Sequence, residues 1–396
     1  MKKIIVLGAS RYYSKSIESA RKAGYYIIAL DKNPDSAGFL VADEGIACDI
    51  IDREQVLNIA VKNKVSGIVP VNDVGVPVAS YVSSKLGLPG ISSETVLWCT
   101  HKDAMRKRWI EMDVPCPKLF IADKKEDIFE GVRYLGYPCV LKPAHGLGGA
   151  SRGVIVVQNE FELENAIEFA LKFYDDKTTL IESFIEAEFE HSAEVLVYNG
   201  VAHVIAISDK VKTELPYRVD KCVLYPTAVN GSKLDQLKEV IKKSVLALNI
   251  HNAAAHVELA TTKNGPVLFE LGARCGGGGT PEPIVHFSTG VNEFVELVRI
   301  MAGDKPVHLE PSSSFGCNYH FITPKPGKIK HISGLDKVKQ LDGILDFEFF
   351  KNEGDEIPEV KIGLERSGFI ICTGKTQKDA LELGKYAESL IDITYY

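Results

Sequence analysis

Two glutamates in residues 251–280, Glu258 and Glu270, have the type and spacing of a pair that binds a cation. If they face each other across a hairpin, their charges repel unless a cation or a shared proton intervenes. Carboxylate oxygens suit a Mg²⁺ ion that also bridges substrate phosphates. Counting by twos from Glu270 brings Arg274 to the same face, where its planar guanidinium would bind a phosphate or a carboxylate. The glycines that follow, Gly276–Gly279, let the backbone approach a ligand closely.

The elements that would position this pair are two predicted strands, His256–Ala260 and Val267–Leu271. A three-residue loop, Lys263-Asn264-Gly265, has the glycine that such a loop needs at its end. This loop pairs Thr262 with Pro266 and places the two glutamates opposite each other, with Cβ atoms about 4.5–5.5 Å apart. A two- or four-residue loop would put the carboxylates on opposite faces. An exposed hairpin edge with a solvated glutamate pair is the alternative interpretation.

The composition of the 396 residues is that of a globular protein, with 45% apolar and 25% charged residues. A net charge of −7 with scattered lysines argues against binding to nucleic acid or to a membrane surface. No apolar run approaches the roughly 18–20 residues of a membrane span. The eight cysteines form no CxxC pair, and no segment resembles a signal peptide. We therefore expect reduced thiols in a cytoplasmic protein.

The N-terminal segment predicts a doubly wound parallel sheet. The apolar run KKIIVLGAS is followed by a predicted helix, Ser16–Lys22, and a predicted strand, Tyr25–Leu30. The glycines of the dinucleotide-binding fingerprint G-x-G-x-x-G are missing after Gly8, which argues against a Rossmann dehydrogenase. This domain is therefore interpreted mainly as a scaffold. Asn72 and Asp73, just past a predicted strand end, are candidates for contact with a substrate.

A second candidate anion site is a glycine-rich loop between the predicted strands Tyr137–Pro143 and Gly153–Val157. Its sequence, AHGLGGASR, is longer than the two to five residues usual in hairpin loops. Backbone N–H groups of such a loop can wrap phosphate oxygens, and Lys142 on the strand adds a cation. It is not a Walker A loop, because Lys142 precedes the glycines. A solvated surface loop is the alternative interpretation.

A helix is predicted over Lys102–Met112, with Thr100 as its N-cap and Asp103 three residues on. A lysine in the first turn has the wrong sign for the helix dipole, at a cost of about 0.3–1 kcal/mol if it is exposed. Solvation is the default explanation, but an anionic ligand near Lys102 would remove the conflict.

Further along, the sequence predicts a hairpin at Asn199-Gly200, a loop over residues 208–220 and a helix over Leu234–Leu248. The C-terminal part is strand-rich and ends in a predicted helix, Thr376–Leu390, with a Thr376/Asp379 capping pattern. We predict a small α+β segment there and find no catalytic constellation in it.

Taken in order, the lysines, the glycine-rich loop, the acidic positions and Arg274 resemble the ATP-grasp superfamily, over roughly residues 1–305 and more loosely beyond. The likeness is to amino-acid ligases, carbamoyl-phosphate synthetase halves and the purine-pathway glycinamide enzymes. It implies an α/β and α+β fold in three parts. These are a doubly wound pre-ATP-grasp domain (1–113), an ATP-grasp domain (114–305) with a mobile lid subdomain (about 114–184), and a C-terminal α+β segment on the substrate side (306–396).

The same resemblance implies roles for individual residues. Lys102 and Lys142 would be the nucleotide lysines, Glu258 and Glu270 the Mg²⁺ ligands, and Arg274 the residue that steadies an acyl phosphate, which makes Arg274 and Lys142 the catalytic candidates. It assigns the nucleotide phosphates to Gly146, Gly148, Gly149 and Ser151. It assigns the base to Glu182 with the backbone of Ser183, Phe184 and Ile185, and the ribose to Glu190. Many members carry an asparagine two residues after the second glutamate as a further metal ligand. Here that position is Gly272, so water or another group would replace it.

The resemblance implies an ATP-dependent carboxylate–amine ligase that uses Mg²⁺, with Mn²⁺ as an alternative. ATP phosphorylates a carboxylate, and an amine attacks the acyl phosphate to give an amide, ADP and phosphate. The partners would be small-molecule carboxylate and amine substrates, and a homodimer is common in the superfamily. One alternative is a purine-pathway or carbamoyl-phosphate-type enzyme, like phosphoribosylglycinamide synthetase or formyltransferase, using glycine, formate or bicarbonate. It would need a phosphoribosyl pocket of Arg and Lys, which the sequence does not reveal. A non-catalytic nucleotide-binding protein is the other.

Overall fold

The computed structural model describes residues 1–145, 149–173, 178–312 and 315–396. Its N-terminal part is a four-stranded parallel sheet with the strand order β3-β2-β1-β4. The elements of this part are β1 (Lys3–Leu7), α1 (Ser14–Lys22), β2 (Tyr26–Asp31), β3 (Glu44–Ala47), α2 (Arg53–Asn63), β4 (Gly67–Pro70), α3 (Gly75–Leu86), α4 (Ser93–Thr100) and α5 (Lys102–Glu111). Short 3₁₀ turns at Arg11–Tyr13 and Ala37–Leu40 join them.

Successive residues of β1 point to opposite faces of this sheet, and both faces are apolar. Ile5 and Leu7 pack on α2 and α3, whereas Ile4 and Val6 face the cluster that contains α10 of the next part. Burial on both faces is typical of a parallel sheet between two layers. The predicted doubly wound sheet is confirmed.

The second part is a small antiparallel sheet with the order β5-β8-β6-β7. It consists of β5 (Leu119–Ala122), α6 (Lys125–Leu135), β6 (Cys139–Pro143), β7 (Ile155–Val157), α7 (Leu163–Leu171) and β8 (Thr179–Ser183). Its own hydrophobic core includes Leu141, Ile155, Ile167 and Ile181. The predicted hairpin around the glycine-rich loop is confirmed as β6–β7, and Gly146 and Gly148 of that loop lie outside the described residues.

The third part begins the large central sheet. It consists of β9 (Phe189–Tyr198), β10 (Val201–Ile207), β11 (Asp209–Lys212), β12 (Asp220–Tyr225), α8 (Gly231–Ala247), β13 (Ala253–Thr262), β14 (Gly265–Gly272), α9 (His286–Thr289), α10 (Glu293–Met301) and β15 (Gly316–Ile322). The β9–β10 turn has positive φ at Asn199 and Gly200, 49° and 77°, which confirms the predicted hairpin there. The loop predicted over 208–220 is wrong, because β11 lies in it and pairs with β12, which begins at its last residue.

The C-terminal segment consists of β16 (Gly327–Ser333), α11 (Leu335–Lys339), β17 (Ile344–Phe349), β18 (Glu356–Ile357), β19 (Gly368–Gly374), α12 (Gln377–Ser389) and β20 (Asp392–Tyr395). The predicted capping box of Thr376 and Asp379 is confirmed at the start of α12. Two strands of this segment complete the nine-stranded central sheet, whose order is β14-β13-β9-β11-β12-β15-β19-β17 with β10 on β9. Strands from both sides of residue 305 therefore share one sheet, and the three predicted domain boundaries stay predictions.

The mixed α/β and α+β fold class predicted from the sequence is confirmed. Among the residues that the structure describes, no helix is both long enough and apolar enough to cross a membrane.

Candidate active site

The hairpin β13–β14 places Glu258 directly opposite Glu270, as predicted. The predicted turn is wrong, because Thr262 pairs with Gly265 and only Lys263 and Asn264 lie between the strands. A two-residue turn alone would put the carboxylates on opposite faces. A β-bulge with Phe269 as its extra residue restores the facing pair.

Each of these carboxylates is paired with a lysine from another element. The Nζ atom of Lys102 lies 2.9 Å from Oε1 of Glu270, and the Nζ atom of Lys210 lies 2.5 Å from Oε1 of Glu258. Partial burial opposes ionisation of Glu258, but Lys210 and then the hydrogen bond with His256 hold its pKa well below the usual range. Glu258 is therefore charged near neutral pH, and the two carboxylates face each other with a lysine beside each.

The two carboxylates fit a magnesium ion that completes its shell with phosphate oxygens and water. Their side chains are 33% and 40% exposed, so each keeps accessible oxygen lone pairs. Within the described ranges no group of three or more His, Cys, Asp or Glu side chains is arranged to hold a metal by itself. A site with few protein ligands is the usual form for Mg²⁺ bound together with phosphates.

Lys102 is the first residue of α5, and its side chain reaches the hairpin from there. The predicted N-cap is wrong: Thr100 is the last residue of α4, where its hydroxyl donates to Val96 O at 2.7 Å, and His101 occupies the N-cap position. The backbone N–H of Lys102 donates to Ala144 O at 2.8 Å, which connects α5 to the start of the glycine-rich loop. The unfavourable position of Lys102 in the helix dipole is thus offset by Glu270.

Lys142 on β6 is held by a buried carboxylate. Its Nζ atom lies 2.6 Å from Oε2 of Glu182, and Arg106 Nε lies 2.8 Å from the other oxygen. Burial opposes ionisation of Glu182, but Arg106 and then Lys142 lower its pKa. Arg106 also donates to Phe269 O, so this cluster reaches the bulge beside Glu270.

This cluster changes the interpretation of Glu182, which the resemblance assigns to the nucleotide base. The carboxylate is 3% exposed and occupied by two cations, so only the main chain beside it is left to meet a base. Of that main chain, the N–H groups of Ser183 and Phe184 already donate to Lys118 O and Pro138 O. Base binding by residues 183–185, including Ile185, stays a prediction that has to use their remaining polar groups.

Two lysines and an aspartate that the sequence analysis assigned to a loop join the site. Lys210 and Lys212 alternate along β11, so both face Asp220 on β12, at 3.6 Å and 2.9 Å. Burial opposes ionisation of Asp220, but Lys210 and then Lys212 lower its pKa to about 2. The one sequence signal for this strand is Val211 between two lysines, an alternation too short to predict a strand by itself.

Glu190, the predicted ribose ligand, lies on β9 next to this group. Lys212 is 3.3 Å from its Oε2 atom, and Arg218 pairs with its Oε1 atom. The predicted phosphate ligand Ser151 donates to Arg218 O at 3.1 Å, and a Cβ added at Gly149 would meet no described atom within 4 Å. The roles assigned to Glu190, Gly149 and Ser151 stay predictions.

Arg274 is paired with an aspartate of the N-terminal part of the chain. Its Nε and Nη2 atoms lie 2.9 Å and 3.0 Å from the two carboxylate oxygens of Asp73. Burial opposes both charges, yet each partner stabilises the other, so the pKa of Asp73 is lowered and that of Arg274 is raised. The sequence predicts that the guanidinium of Arg274 binds an anion with two donors. In the structure both donors bind the carboxylate of Asp73.

A side chain at residue 272 would crowd this ion pair. A Cβ on Gly272 would lie 2.9 Å from Oδ1 of Asp73 and 3.4 Å from Cζ of Arg274. An asparagine there would displace the pair.

Comparison with known proteins identifies two regions of the chain. Residues 135–282, which include Lys142, Glu182 and the glutamate pair, match the ATP-grasp domain, and residues 320–396 match the L-amino acid ligase C-terminal domain 2.

The chain therefore contains an ATP-grasp domain.

The resemblance to the ATP-grasp superfamily found in the sequence is confirmed. The chain is 24% identical over 296 residues to an L-arginine-specific L-amino acid ligase of Bacillus subtilis, a match that covers 74% of this chain and 71% of that protein. It is 27% identical over 393 residues to a formate-dependent phosphoribosylglycinamide formyltransferase of a Nitratiruptor species, with 96% and 94% covered. The chain spans 64% and 26% of the length of the first two curated relatives that it matches.

The fold of this chain also resembles that of solved structures. An L-amino acid ligase from Bacillus licheniformis superimposes with a TM-score of 0.85 at 22% identity, covering 100% of this chain and 99% of that one. At this level of identity the likeness shows the fold alone.

Proposed function

We propose that this protein is a Mg²⁺- and ATP-dependent carboxylate–amine ligase. The observation that carries the proposal is the facing pair Glu258 and Glu270, each held by a lysine, inside an ATP-grasp domain that is followed by an L-amino acid ligase C-terminal domain. The likeness to an L-arginine-specific L-amino acid ligase suggests the substrate class, carboxylic acids and amines.

Glu258 and Glu270 would hold Mg²⁺, which supplies charge neutralisation of the phosphates when it is bound. Near this pair, Lys102 forms an ion pair with Glu270, and Lys142 forms one with Glu182. Phosphate oxygens would become partners for these two lysines, and their present carboxylates keep them in place before the nucleotide arrives. This exchange of partners avoids leaving a buried charge unpaired.

In the proposed reaction, an oxygen of the carboxylate substrate attacks the γ-phosphorus of ATP, and ADP leaves. The nitrogen of the amine then attacks the acyl carbon, loses a proton and expels phosphate. Catalysis of such a transfer is mostly positioning and charge stabilisation. Arg274, held by Asp73 just beyond the end of β4, would stabilise charge on the acyl phosphate. The segment between β6 and β7 would shield that intermediate from water.

The formate- or bicarbonate-using alternative has less support. Arg11, which follows β1 in the N-terminal domain, is engaged by Asp346 and Glu348 of the C-terminal segment rather than left for a phosphoribosyl group. The match to an L-amino acid ligase C-terminal domain also favours amino-acid substrates. Use of Mn²⁺, a homodimer and a cytoplasmic location remain part of the proposal.

The proposal is tested by ADP release with Mg·ATP and a panel of amino acids, singly and in pairs, together with formate and bicarbonate. ADP and phosphate in equal amounts with one acid–amine pair would support the ligase. ADP with formate or bicarbonate alone would favour the alternative, and no ADP with any of them would refute the ligase for the substrates sampled.

A further inference from the structure

Arg366 is a cation of the C-terminal segment with an incomplete set of partners. It follows the 3₁₀ turn Gly363–Glu365, and its guanidinium carbon lies 3.6 Å from the centre of the Phe321 ring. Its Nη2 atom donates to Asp220 O at 2.7 Å. Its Nε atom is buried and has no hydrogen-bond partner in the part of the chain that the structure describes. A buried donor without an acceptor is unfavourable, so this atom marks a place for an acceptor from outside the chain.

The described part of the chain also leaves the charge of Arg366 without a carboxylate of its own. The described ion pairs of the protein include none with Arg366, and the nearby carboxylate of Asp220 is taken by Lys210 and Lys212. Burial outweighs the field of Asp220 and lowers the pKa of the guanidinium. A bound anion would supply the missing compensation.

The position of Arg366 connects it to the candidate active site on two sides. Through Asp220 it adjoins Lys210, which holds Glu258. One turn earlier, the backbone N–H of Gly363 donates to Ala150 O at 2.8 Å, at the end of the glycine-rich loop.

An aromatic wall extends from Arg366 towards the glycines that follow Arg274. The rings of Phe321 and Tyr319 lie 4.5 Å apart. The hydroxyl of Tyr319 is so close to Gly278 that a Cβ there would lie 2.5 Å from it. The two rings therefore connect the guanidinium of Arg366 to the glycines that follow Arg274.

We infer that Arg366 binds the carboxylate of the amine substrate, so that this substrate is an α-amino acid or a peptide with a free carboxylate. The inference rests on the proposed ligase function. A planar guanidinium matches a carboxylate in shape and donors, and the partly exposed ring of Phe321 suits the apolar part of an amino acid. A nucleotide phosphate is the less suitable anion, because the proposed function already assigns it to Lys102, which pairs with Glu270, and to Lys142, which pairs with Glu182.

The test compares amines that differ only in this carboxylate. Each amino acid that serves as the amine is assayed beside its amide, and the ratio of the two kcat/KM values is taken within the same variant, so that a general loss of activity cancels. We expect the parent to prefer the acid. Arg366→Gln should lower the ratio about 10–100-fold, as for loss of a hydrogen-bonded charge, mainly through KM of the amine. The ratio for Arg366→Lys should lie between those of the parent and of Arg366→Gln. Arg11→Gln removes another arginine that contacts the C-terminal segment and should keep the parent ratio.

Trapping with hydroxylamine, an amine without a carboxylate, separates this inference from the function on which it rests. If the parent forms no hydroxamate with Mg·ATP and any carboxylate of the panel, the ligase itself is refuted and the inference falls with it. If hydroxamate forms but Arg366→Gln lowers activity equally with acid and amide, the role is structural and the inference is overturned. A rise in KM for ATP with an unchanged acid-to-amide ratio would assign Arg366 to phosphate and would also overturn it.

Discussion

The Nζ atom of Lys102 lies 2.9 Å from Oε1 of Glu270, so the first residue of a helix and the edge strand of the central sheet meet in one ion pair. This pair links the N-terminal part of the chain to the β13–β14 hairpin. The opposite carboxylate, Glu258, has a similar partner in Lys210. The candidate metal ligands are thus held in place by cations that the proposed substrate, a polyanion, can also bind.

Glu270→Gln removes one of the two charged ligands while keeping the shape of the side chain. We expect Mg²⁺-dependent ADP formation to fall about 100-fold or more, as for other losses of charge stabilisation in a transition state. The measurement is the steady-state rate at several Mg²⁺ concentrations. Glu239→Gln, on the exposed face of α8, is the matched control and should behave like the parent. Turnover of Glu270→Gln at the parental rate would contradict the metal assignment.

Gly272→Asn tests whether the ion pair of Asp73 and Arg274 excludes a side chain at this position. The Cβ would come within 2.9 Å of Asp73, so we expect a loss of stability of about 1–3 kcal/mol, typical of overpacking. Gly272→Ala should lose less. Thermal or urea unfolding measures both. Gly277→Ala, whose Cβ would meet no described atom within 4 Å, should unfold like the parent. An unchanged stability of Gly272→Asn would show that the pair moves aside without cost.

The lysines around Asp220 predict a loss of stability in acid. Their charges lower the pKa of Asp220 from 3.8 to about 2, so this carboxylate stabilises the fold above about pH 4 and the contribution disappears as pH falls towards 2. The shift corresponds to about 2 kcal/mol. Urea unfolding between pH 2 and 6 should therefore show a shallower acid dependence for Asp220→Asn than for the parent. The control is Asp235→Asn, which changes an exposed aspartate on α8. If the free energy of unfolding depends on pH equally in all three proteins, the prediction is contradicted.

The fold should also lose stability as pH rises above neutral, because of His320. Burial opposes its protonation, but hydrogen bonds with Cys222 and Glu388 raise its pKa from 6.5 to about 9. A raised pKa stabilises the fold fully below about pH 6.5, and this stability is lost as pH rises through 9. The shift corresponds to about 3 kcal/mol at most. His320→Gln should flatten the decline between pH 6.5 and 9, and the exposed His331→Gln should not. A parent protein whose stability does not change over this range would rule the effect out.

Much of the site could be predicted from the sequence because its parts lie close together in the chain. Glu258 and Glu270 share one hairpin, and their pairing depends only on local register. The turn length could not be read correctly, because Phe269 forms a bulge that compensates for a turn one residue shorter than predicted. Nothing in residues 265–272 marks that bulge, since Val267, Leu268 and Phe269 form one continuous apolar run.

Long-range partners were the part that the sequence could not supply. Asp73 and Arg274 are 201 residues apart, and their pairing depends on how the N-terminal sheet packs on the central one. Arg366 follows a short turn in a segment without a recognisable motif, and only the fold brings it to Asp220. Lys210 and Lys212 were hidden for a different reason: a four-residue strand of alternating charge carries too little apolar signal to be distinguished from a loop.

Phosphorylation of a carboxylate by ATP is the central claim, and transfer of oxygen tests it most directly. The acid substrate is labelled with ¹⁸O in its carboxylate, turned over with Mg·ATP and the amine, and the released phosphate is analysed by mass. Because the acyl phosphate keeps one carboxylate oxygen on phosphorus when the amine displaces it, we predict one ¹⁸O atom in each phosphate. Amide formed with phosphate free of label would contradict the account, since the carboxylate would then have been activated without bonding to phosphorus.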